Sequence, residues 1–289
     1  MATVSVIIPS FNASGYIKRS LDSVLSQGYK EIEIIIVNDG STDNLETVLA
    51  SYMDDKRIKY VKTENRGVSH AINVGLGLAG GEYISFLHAD DLFMRGKIGK
   101  QVAFMEAKRN CHISYTNENY FLDGTGYAVE SRNFHFSGDI FYFLKRSNFI
   151  HMSTVMARRS ALEGNALDEK LACHEEWDLF LRLAGNGMKF FYIDSILSSI
   201  CVHSGNLSFD KNIMGVTRHE VGKRARALWG DFKNDINFYS INGINNFMRY
   251  AKFKMRAFCI GFPGNKKFNP RSPREILETM RLERKGITA

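Results

Sequence analysis

Two adjacent carboxylates, Asp90 and Asp91, are the side chains whose type and spacing point most directly to chemistry. They follow an apolar run, residues 83–87, which predicts a buried strand that ends at the acids. Carboxylate oxygens are ligands that Mg²⁺ and Mn²⁺ prefer, and these ions bind proteins together with substrate phosphates. The pair therefore predicts a divalent cation site at the end of a strand, with Asp90 and Asp91 as ligands.

Two other apolar runs also end in small or acidic residues. These ends are Pro9-Ser10-Phe11-Asn12, after residues 4–8, and Asn38-Asp39-Gly40-Ser41, after residues 32–37. Any one such end is typical of a turn or a helix cap. Ligands of open parallel sheets bind outside the carboxyl ends of the strands, so three such ends on one sheet favour a nucleotide site.

The elements that must position these groups follow from the periodicity of the chain. Apolar strands alternate with helix-spaced segments as far as residue 91, which predicts an α/β fold with a parallel sheet covered on both faces. Beyond that point we expect helices at residues 95–109, 137–147 and 175–184. We expect extended segments at residues 113–121, 154–157, 190–193 and 197–202, and a mostly helical chain from about residue 216.

One glycine motif, Gly75-Leu76-Gly77-Leu78-Ala79-Gly80, has the spacing of a dinucleotide fingerprint. That fingerprint requires the glycines after a strand and at the start of a helix. Here they close a predicted helix and precede a strand, so we interpret them as a helix stop. The sequence has no GxxxxGK[ST] loop either, which argues against a P-loop NTPase.

In this order, the motifs resemble those of the family 2 glycosyltransferases, which have the GT-A fold. The resemblance covers about the first 210 residues. It is carried by residues 6–12, 36–43, 65–73, 81–84 with the acid pair, 175–183, and His203. It implies a mostly parallel sheet flanked by helices, with a catalytic domain at 1–210 and a basic helical extension at 211–289. The catalytic domain would comprise a nucleotide-binding half, 1–91, and an acceptor half, 92–210.

The resemblance also implies roles for the residues at the strand ends. Asp39 would accept a hydrogen bond from a uracil base, and Pro9, Ser10, Phe11 and Asn12 would line the base pocket. Arg66 and His88 would contact the donor as well. Asp90 would ligate Mn²⁺ or Mg²⁺, with Asp91 and His203 assisting. His88 departs from the family, which has Asp at this position. A core histidine is the alternative interpretation of His88.

Glu176 matches the position of the catalytic base of the family, where Asp is more common. It would take the proton from the acceptor hydroxyl, with Glu175 as the second choice for this role. The alternative is that both acids are at a helix N-terminus, where negative charge is favourable. Trp177 would form the floor of the sugar site or belong to the core, and Arg182 would pair with acids of the same domain.

Charge is distributed unevenly along the 289 residues. Residues 211–289 carry 17 Lys and Arg against 6 Asp and Glu, whereas the whole chain has a net charge of +7. This basic segment favours peripheral contact with an anionic membrane or packing against the catalytic domain. Aromatic and basic residues alternate at 247–256, but the segment has no RNA-binding motif, so we expect no nucleic acid partner.

Cellular location follows from what the chain lacks. The four cysteines form no CxxC pair, and no signal peptide or membrane-spanning run stands out, so we expect a cytoplasmic protein, either free or peripheral on the cytoplasmic face of the membrane.

Together these features predict an inverting hexosyltransferase-type enzyme that uses a UDP-sugar donor and a glycan or lipid-linked acceptor, in polysaccharide or glycolipid synthesis. The rivals are a nucleotidyltransferase, which would need a basic glycine-rich loop after the first strand, and a catalytically silent scaffold.

Overall fold

The computed structural model describes residues 2–125, 128–131, 135–203, 206 and 211–229. The strands are β1 Val4–Ser10, β2 Ile32–Asp39, β3 Ile58–Thr63, β4 Tyr83–Phe86, β5 Leu92–Phe93, β6 Ile113–Leu122, β7 Ala128–Glu130, β8 Met156–Arg158 and β9 Phe190–Val202. The helices are α1 Ile17–Leu25, α2 Leu45–Leu49, α3 Val68–Leu78, α4 Lys97–Ala107, α5 Phe141–Leu144, α6 Arg159–Leu162, α7 Glu175–Gly185 and α8 Lys211–Trp229. Short 3₁₀ helices form at Ala50–Tyr52 and Met152–Thr154.

One mixed sheet carries the fold, in the order β3-β2-β1-β4-β8-β6-β9-β5, with β7 paired to β6. Its first four strands are parallel, as the alternating sequence pattern predicts. The next strand, β8, runs antiparallel to both β4 and β6, and β6 and β9 are again parallel. The carboxyl ends of β1, β2 and β4 therefore meet at the same edge of the sheet.

Both faces of the parallel half are covered, which confirms the prediction. On β1, Val6 and Ile8 pack against α1 residues such as Leu21, whereas Ile7 faces the other way and belongs to the core that contains Ile72 of α3. All of these side chains are fully buried. Strand residues alternate between faces, so continuous apolar runs are needed when helices cover both sides.

Gly75 has a packing role that the sequence analysis did not identify. It lies inside α3 rather than at its end, and a Cβ added there would lie 2.4 Å from Cγ2 of Ile7 on β1. The absence of a side chain thus lets α3 approach the sheet closely. A Cβ added at Gly77 would meet no atom within 4 Å. The helix ends at Leu78 with Ala79 as its C-cap, so of the three glycines of the motif only Gly80 follows the helix.

The second half differs in detail from the prediction. Residues 190–193 and 197–202 form one strand, β9, whose pairing with β6 is shifted by an irregularity between Thr116 and Glu118. The helix expected at 137–147 is only the four-residue α5. Helix α8 spans Lys211–Trp229, and its Val221 and Ala225 are buried in the same core as Leu179 of α7. The remainder of the predicted basic extension, 230–289, lies outside the described residues.

The helices of the described residues differ from membrane-spanning segments in length or in apolar character. No helix there combines the length and the apolar character that crossing a bilayer requires.

Candidate functional site

The loops after β1 and β2 are joined by hydrogen bonds of Asn12. Its Oδ1 accepts from the backbone N–H of Thr42 at 2.8 Å, and its own N–H donates to Oγ of Ser41 at 3.0 Å. Asn12 has a φ of +49°, a conformation that Asn tolerates better than most residues. Pro9 and Ser10 are buried beneath this loop, whereas Phe11 is 47% exposed at its tip. The predicted base pocket thus offers one exposed aromatic ring.

Asp39 is buried and already well partnered. Its carboxylate accepts from the backbone N–H of Gly67 at 2.7 Å, from that of Arg66 at 3.1 Å, and from Oγ1 of Thr63 at 3.2 Å. These contacts place negative charge at the N-terminus of α3, where the helix dipole favours it. Asp39 therefore orders the loop before α3, and its contact with a uracil base stays a prediction.

The guanidinium of Arg66 turns away from Asp39. Nη2 of Arg66 donates to Oε2 of Glu169 at 2.7 Å, and Glu169 also accepts from Nδ2 of Asn73 at 3.1 Å. The Arg66 side chain is largely exposed. If Arg66 contacts the donor, as predicted, its guanidinium would bind both the donor and Glu169.

Asp90 and His203, far apart in the sequence, meet at the end of β4. Nε2 of His203 lies 3.0 Å from Oδ2 of Asp90, and Nδ2 of Asn206 donates to the same oxygen at 3.3 Å. The imidazole stacks on Tyr16, with ring centroids 4.6 Å apart. Burial opposes ionisation of Asp90, but the hydrogen bond with His203 and the charge of His88 outweigh it and lower the pKa of this carboxyl. The sequence analysis had not identified Asn206 or Tyr16.

Asp91 faces the interior. It is 1% exposed, and its two oxygens accept from Oγ of Ser153 at 2.6 Å and from the backbone N–H of Cys201 at 2.9 Å. Burial, followed by the charge of Asp90, raises the pKa of Asp91 to about 7. Asp91 thus joins the end of β4 to β9 and to the 3₁₀ turn at Met152–Thr154.

His151, which the sequence analysis missed, completes a cluster with His88 and Asp91. Nδ1 of each histidine lies 3.8 Å from Oδ2 of Asp91, and the two rings meet edge to face. One ligand atom from each of the three residues lies within 4.8 Å of the others. No local pattern marks His151, because it reaches Asp91 only through the fold.

The donor atoms of this cluster fit a divalent cation. Nε2 of His88 is buried without a hydrogen-bond partner. Burial lowers the pKa of His151 to about 3, so its imidazole is neutral, the form that binds metals. A cation would also compensate the buried carboxylate of Asp91. The structure thus offers two adjacent sets of ligands, Asp90 with His203 and the cluster of His88, Asp91 and His151.

The two glutamates lie at the N-terminus of α7, after His174 with a φ of +60°. Glu175 is buried, whereas Glu176 is half-buried and its Oε1 accepts from Nδ2 of Asn148 at 3.3 Å. Burial, followed by the charge of Glu175, raises the pKa of Glu176 to about 8. Burial raises the pKa of Glu175 as well, and the charge of His88 opposes this effect.

Trp177 and Arg182 of α7 have structural contacts. Nε1 of Trp177 donates to the carbonyl of Leu144 at 2.7 Å, and the ring is buried in the core. Nε of Arg182 donates to Oδ2 of Asp178 at 2.8 Å, which confirms the prediction for this residue. The core interpretation of Trp177 is therefore confirmed.

A sheet whose parallel half is flanked by helices and carries acidic groups at its carboxyl edge has the architecture of GT-A glycosyltransferases. The family model described as "Glycosyl transferase family 2" matches residues 5–164. The chain belongs to this family. The family and the α/β fold predicted from the sequence are thereby confirmed.

Relatives in three bacteria support this assignment. An uncharacterized glycosyltransferase of Haemophilus influenzae is 30% identical, over 87% of this chain and 99% of the relative. The Escherichia coli protein named UDP-Glc:alpha-D-GlcNAc-diphosphoundecaprenol beta-1,3-glucosyltransferase WfaP is 31% identical, over 73% of this chain and 82% of the relative. An uncharacterized glycosyltransferase of Rickettsia bellii is 34% identical over 72% of this chain, but the match spans only 30% of that protein.

Two solved structures share the fold at low sequence identity. S. aureus TarS in complex with UDP-GlcNAc superposes with a TM-score of 0.63 and 20% identity, over 88% of this chain and 77% of that chain. The mannosyltransferase PcManGT from Pyrobaculum calidifontis, in complex with GDP-Man and Mn²⁺, gives a TM-score of 0.62 at 17% identity, over 98% and 80%. Each of these two structures contains a nucleotide-sugar ligand.

Proposed function

We propose that this protein is an inverting glycosyltransferase that transfers a sugar from a UDP-sugar to a hydroxyl of a glycan or lipid-linked acceptor, in the synthesis of a polysaccharide or glycolipid. The observation that carries the proposal is the segment 148–151, which contacts both groups of acids. Asn148 donates to Glu176 at 3.3 Å, and the His151 ring lies 5.4 Å from that of His88, with its Nδ1 3.8 Å from Oδ2 of Asp91. The groups assigned to the donor and to the acceptor are therefore linked through one short segment.

Glu176 is the residue we assign as the general base. It is more exposed than Glu175, and Asn148 holds its carboxylate from the side of α5. A pKa of about 8 lies near the working pH of most enzymes, where a base combines a useful ionised fraction with a strong drive to accept a proton. Glu176 would take the proton from the acceptor hydroxyl as that oxygen attacks the anomeric carbon, which inverts this centre.

Either Asp90 with His203 or the adjacent cluster of His88, Asp91 and His151 would hold the cation. A bound Mn²⁺ or Mg²⁺ supplies charge that stabilises the nucleoside diphosphate as it leaves. Imidazole nitrogens suit Mn²⁺ and other transition metals better than Mg²⁺, so a site that uses the histidines would favour Mn²⁺. His203, packed on Tyr16, would also exclude water from the donor and limit its hydrolysis.

A thermal-shift panel with UDP, GDP, CMP and dTDP, each with and without Mn²⁺, tests the donor assignment. A ligand at about 100 times its Kd stabilises by roughly 2.7 kcal/mol, which corresponds to a Tm rise of several degrees for a chain of this size. We expect the rise with UDP and Mn²⁺ together. No rise with any nucleotide would contradict the proposal and favour a silent scaffold.

Two variants separate the two sets of metal ligands. If Asp90 holds the cation, Asp90→Ala removes the Mn²⁺-dependent part of the UDP shift, while His151→Ala keeps it. The opposite result would assign the cation to His88, Asp91 and His151. An unchanged Mn²⁺ dependence in both variants would contradict a cation site at this edge of the sheet.

Release of UDP from UDP-sugars tests the catalytic step. We expect Glu176→Gln to abolish release while the UDP thermal shift is retained, because the variant keeps the shape of the side chain but not its basicity. Loss of nucleotide binding together with release would move Glu176 out of the role of base. Glu175→Gln, measured in parallel, tests the second candidate for the base.

A further inference from the structure

A cavity of about 530 Å³ lies between the turn after α5, the start of α7, and α8. Its lining includes Lys145, Arg146, Trp177, Arg218 and His219, which we call the cationic cleft. In the part of the chain that the structure describes, no carboxylate lines this cleft. Three permanent positive charges around one cavity create a potential that attracts anions.

The cleft is formed by side chains that other contacts hold in place. The ammonium of Lys145 lies 5.2 Å from the ring centroid of Phe141, and the guanidinium of Arg146 lies 4.5 Å from that of Tyr142. Such cation–π contacts hold a charged group in a defined orientation. The cations on the α5 side are therefore largely preformed.

Helix α8, which supplies the opposite wall, is anchored to the catalytic half. Val221 and Ala225 are each 1% exposed, within the core that contains α7, and Arg224 forms an ion pair with Asp168. Arg218 lies on the exposed side of the same helix. Because α8 is fixed by its buried face, it presents Arg218 towards the cavity in a defined position.

Two residues that line the cleft are close in sequence to Glu176 and to its partner Asn148. Trp177 directly follows Glu176, and Asn148, which donates to Glu176, lies two residues beyond Arg146. The bond from Nε1 of Trp177 to the carbonyl of Leu144 ties these two walls together. None of the lining residues comes from the loops after β1, β2 or β4, where the donor is assigned. The cleft therefore lies on the acceptor side of the base.

We propose that the cationic cleft binds a phosphate or diphosphate group of the acceptor and thereby places the acceptor hydroxyl at Glu176. This inference rests on the proposed function and specifies its acceptor as a phosphorylated one. The volume falls within the range of about 300–1,000 Å³ that small-molecule sites occupy. Arginine suits phosphate oxygens, because its guanidinium donates two parallel hydrogen bonds to them.

Calorimetric titration of the full chain with pyrophosphate and with farnesyl diphosphate tests the proposal. Titration in EDTA keeps metal–phosphate binding at the donor site out of the measurement. Arg146→Gln and Arg218→Gln remove one cation each. Arg159→Gln is the matched control, because Arg159 is an exposed arginine at the start of α6 that pairs with Glu163 instead.

We expect each cleft variant to weaken binding of pyrophosphate by about fivefold, as for a partly solvated charge pair, and Arg159→Gln to leave it unchanged. Raising the salt concentration should weaken binding to the unmodified protein more than to Arg218→Gln. Equal affinities for the unmodified protein and both cleft variants would overturn the proposal, as would undetectable binding.

The two ligands distinguish the sources of the phosphate. Tighter binding of farnesyl diphosphate than of pyrophosphate, with both weakened in the cleft variants, assigns a lipid-linked acceptor. Equal binding of the two, again weakened in the variants, assigns a soluble sugar phosphate. The Mn²⁺-dependent UDP shift of the same variants reports on the donor site, so failure of the acceptor proposal is distinguishable from failure of the proposed function.

Discussion

Replacement of Glu176 by Gln should stabilise the fold, and it should do so increasingly as the pH rises. Burial, followed by the charge of Glu175, raises the pKa of Glu176 from 4.5 to about 8. A carboxyl group with a raised pKa contributes stability that is fully present below the unfolded value and is lost as the pH rises through the folded value. Gln does not titrate, so the variant escapes this loss.

The size of this stabilisation follows from the shift in the pKa of Glu176. At about 1.4 kcal/mol for each pKa unit, the change from 4.5 to about 8 sets an upper limit of about 5 kcal/mol. Glu176 is only half-buried and solvent screens its charge, so we expect about 2 kcal/mol at about pH 9. For a chain of this size this corresponds to a Tm increase of about 4–6 °C, against about 1 °C near pH 5.

Thermal denaturation of the unmodified protein and Glu176→Gln at both pH values measures this difference. Glu163→Gln, which removes an exposed carboxylate, is the control and should show no increase with pH. A Tm difference that is the same at both pH values would refute the reasoning. The rate of UDP release by the unmodified protein should rise with pH through about 8, since only the ionised carboxylate acts as a base.

Three further perturbations test the core and the site. Gly75→Ala should destabilise the fold by about 1–3 kcal/mol through its contact with Ile7, whereas Gly77→Ala, with no atom within 4 Å, should be neutral or slightly stabilising in chemical denaturation. Lys97 is fully buried, and burial holds its pKa well below the usual range. At low pH the buried lysine must be charged, which destabilises the fold. Lys97→Met should therefore raise the Tm more at low pH than at high pH. Asp90→Ala should abolish the gain in Tm that Mn²⁺ adds to UDP, and a retained gain would exclude Asp90 as a ligand.

The parallel half of the fold could be predicted from the sequence because its signals are local. Continuous apolar runs mark strands that are buried on both faces, and helix spacing marks the segments between them. The second half was harder to predict, because β8 and β9 pair with strands that are distant in the sequence. The single strand β9 was expected as two segments, since the irregularity opposite Thr116 and Asn117 has no local signature.

The candidate site shows the same division. Asp39 and Asp90 could be selected because each stands at the end of a predicted strand, and Glu176 could be selected through the resemblance to the family. His151 and Asn148 could not, because they reach Asp91 and Glu176 from other parts of the chain. The order of the motifs indicated that both Asp90 and His203 belong to the site, but only the fold shows that they contact each other.

The order of the elements and the chemistry available at the strand ends could be inferred from the chain alone, because both depend on residues that are close together in it. The direction of each functional side chain depends on contacts between distant segments. Asp90 and Asp91 are neighbours of the same type, yet one meets His203 and the other is enclosed by Ser153 and the backbone of Cys201. Packing of β9 and the turn before β8 against β4 sets this difference, and no property of the two residues themselves encodes it.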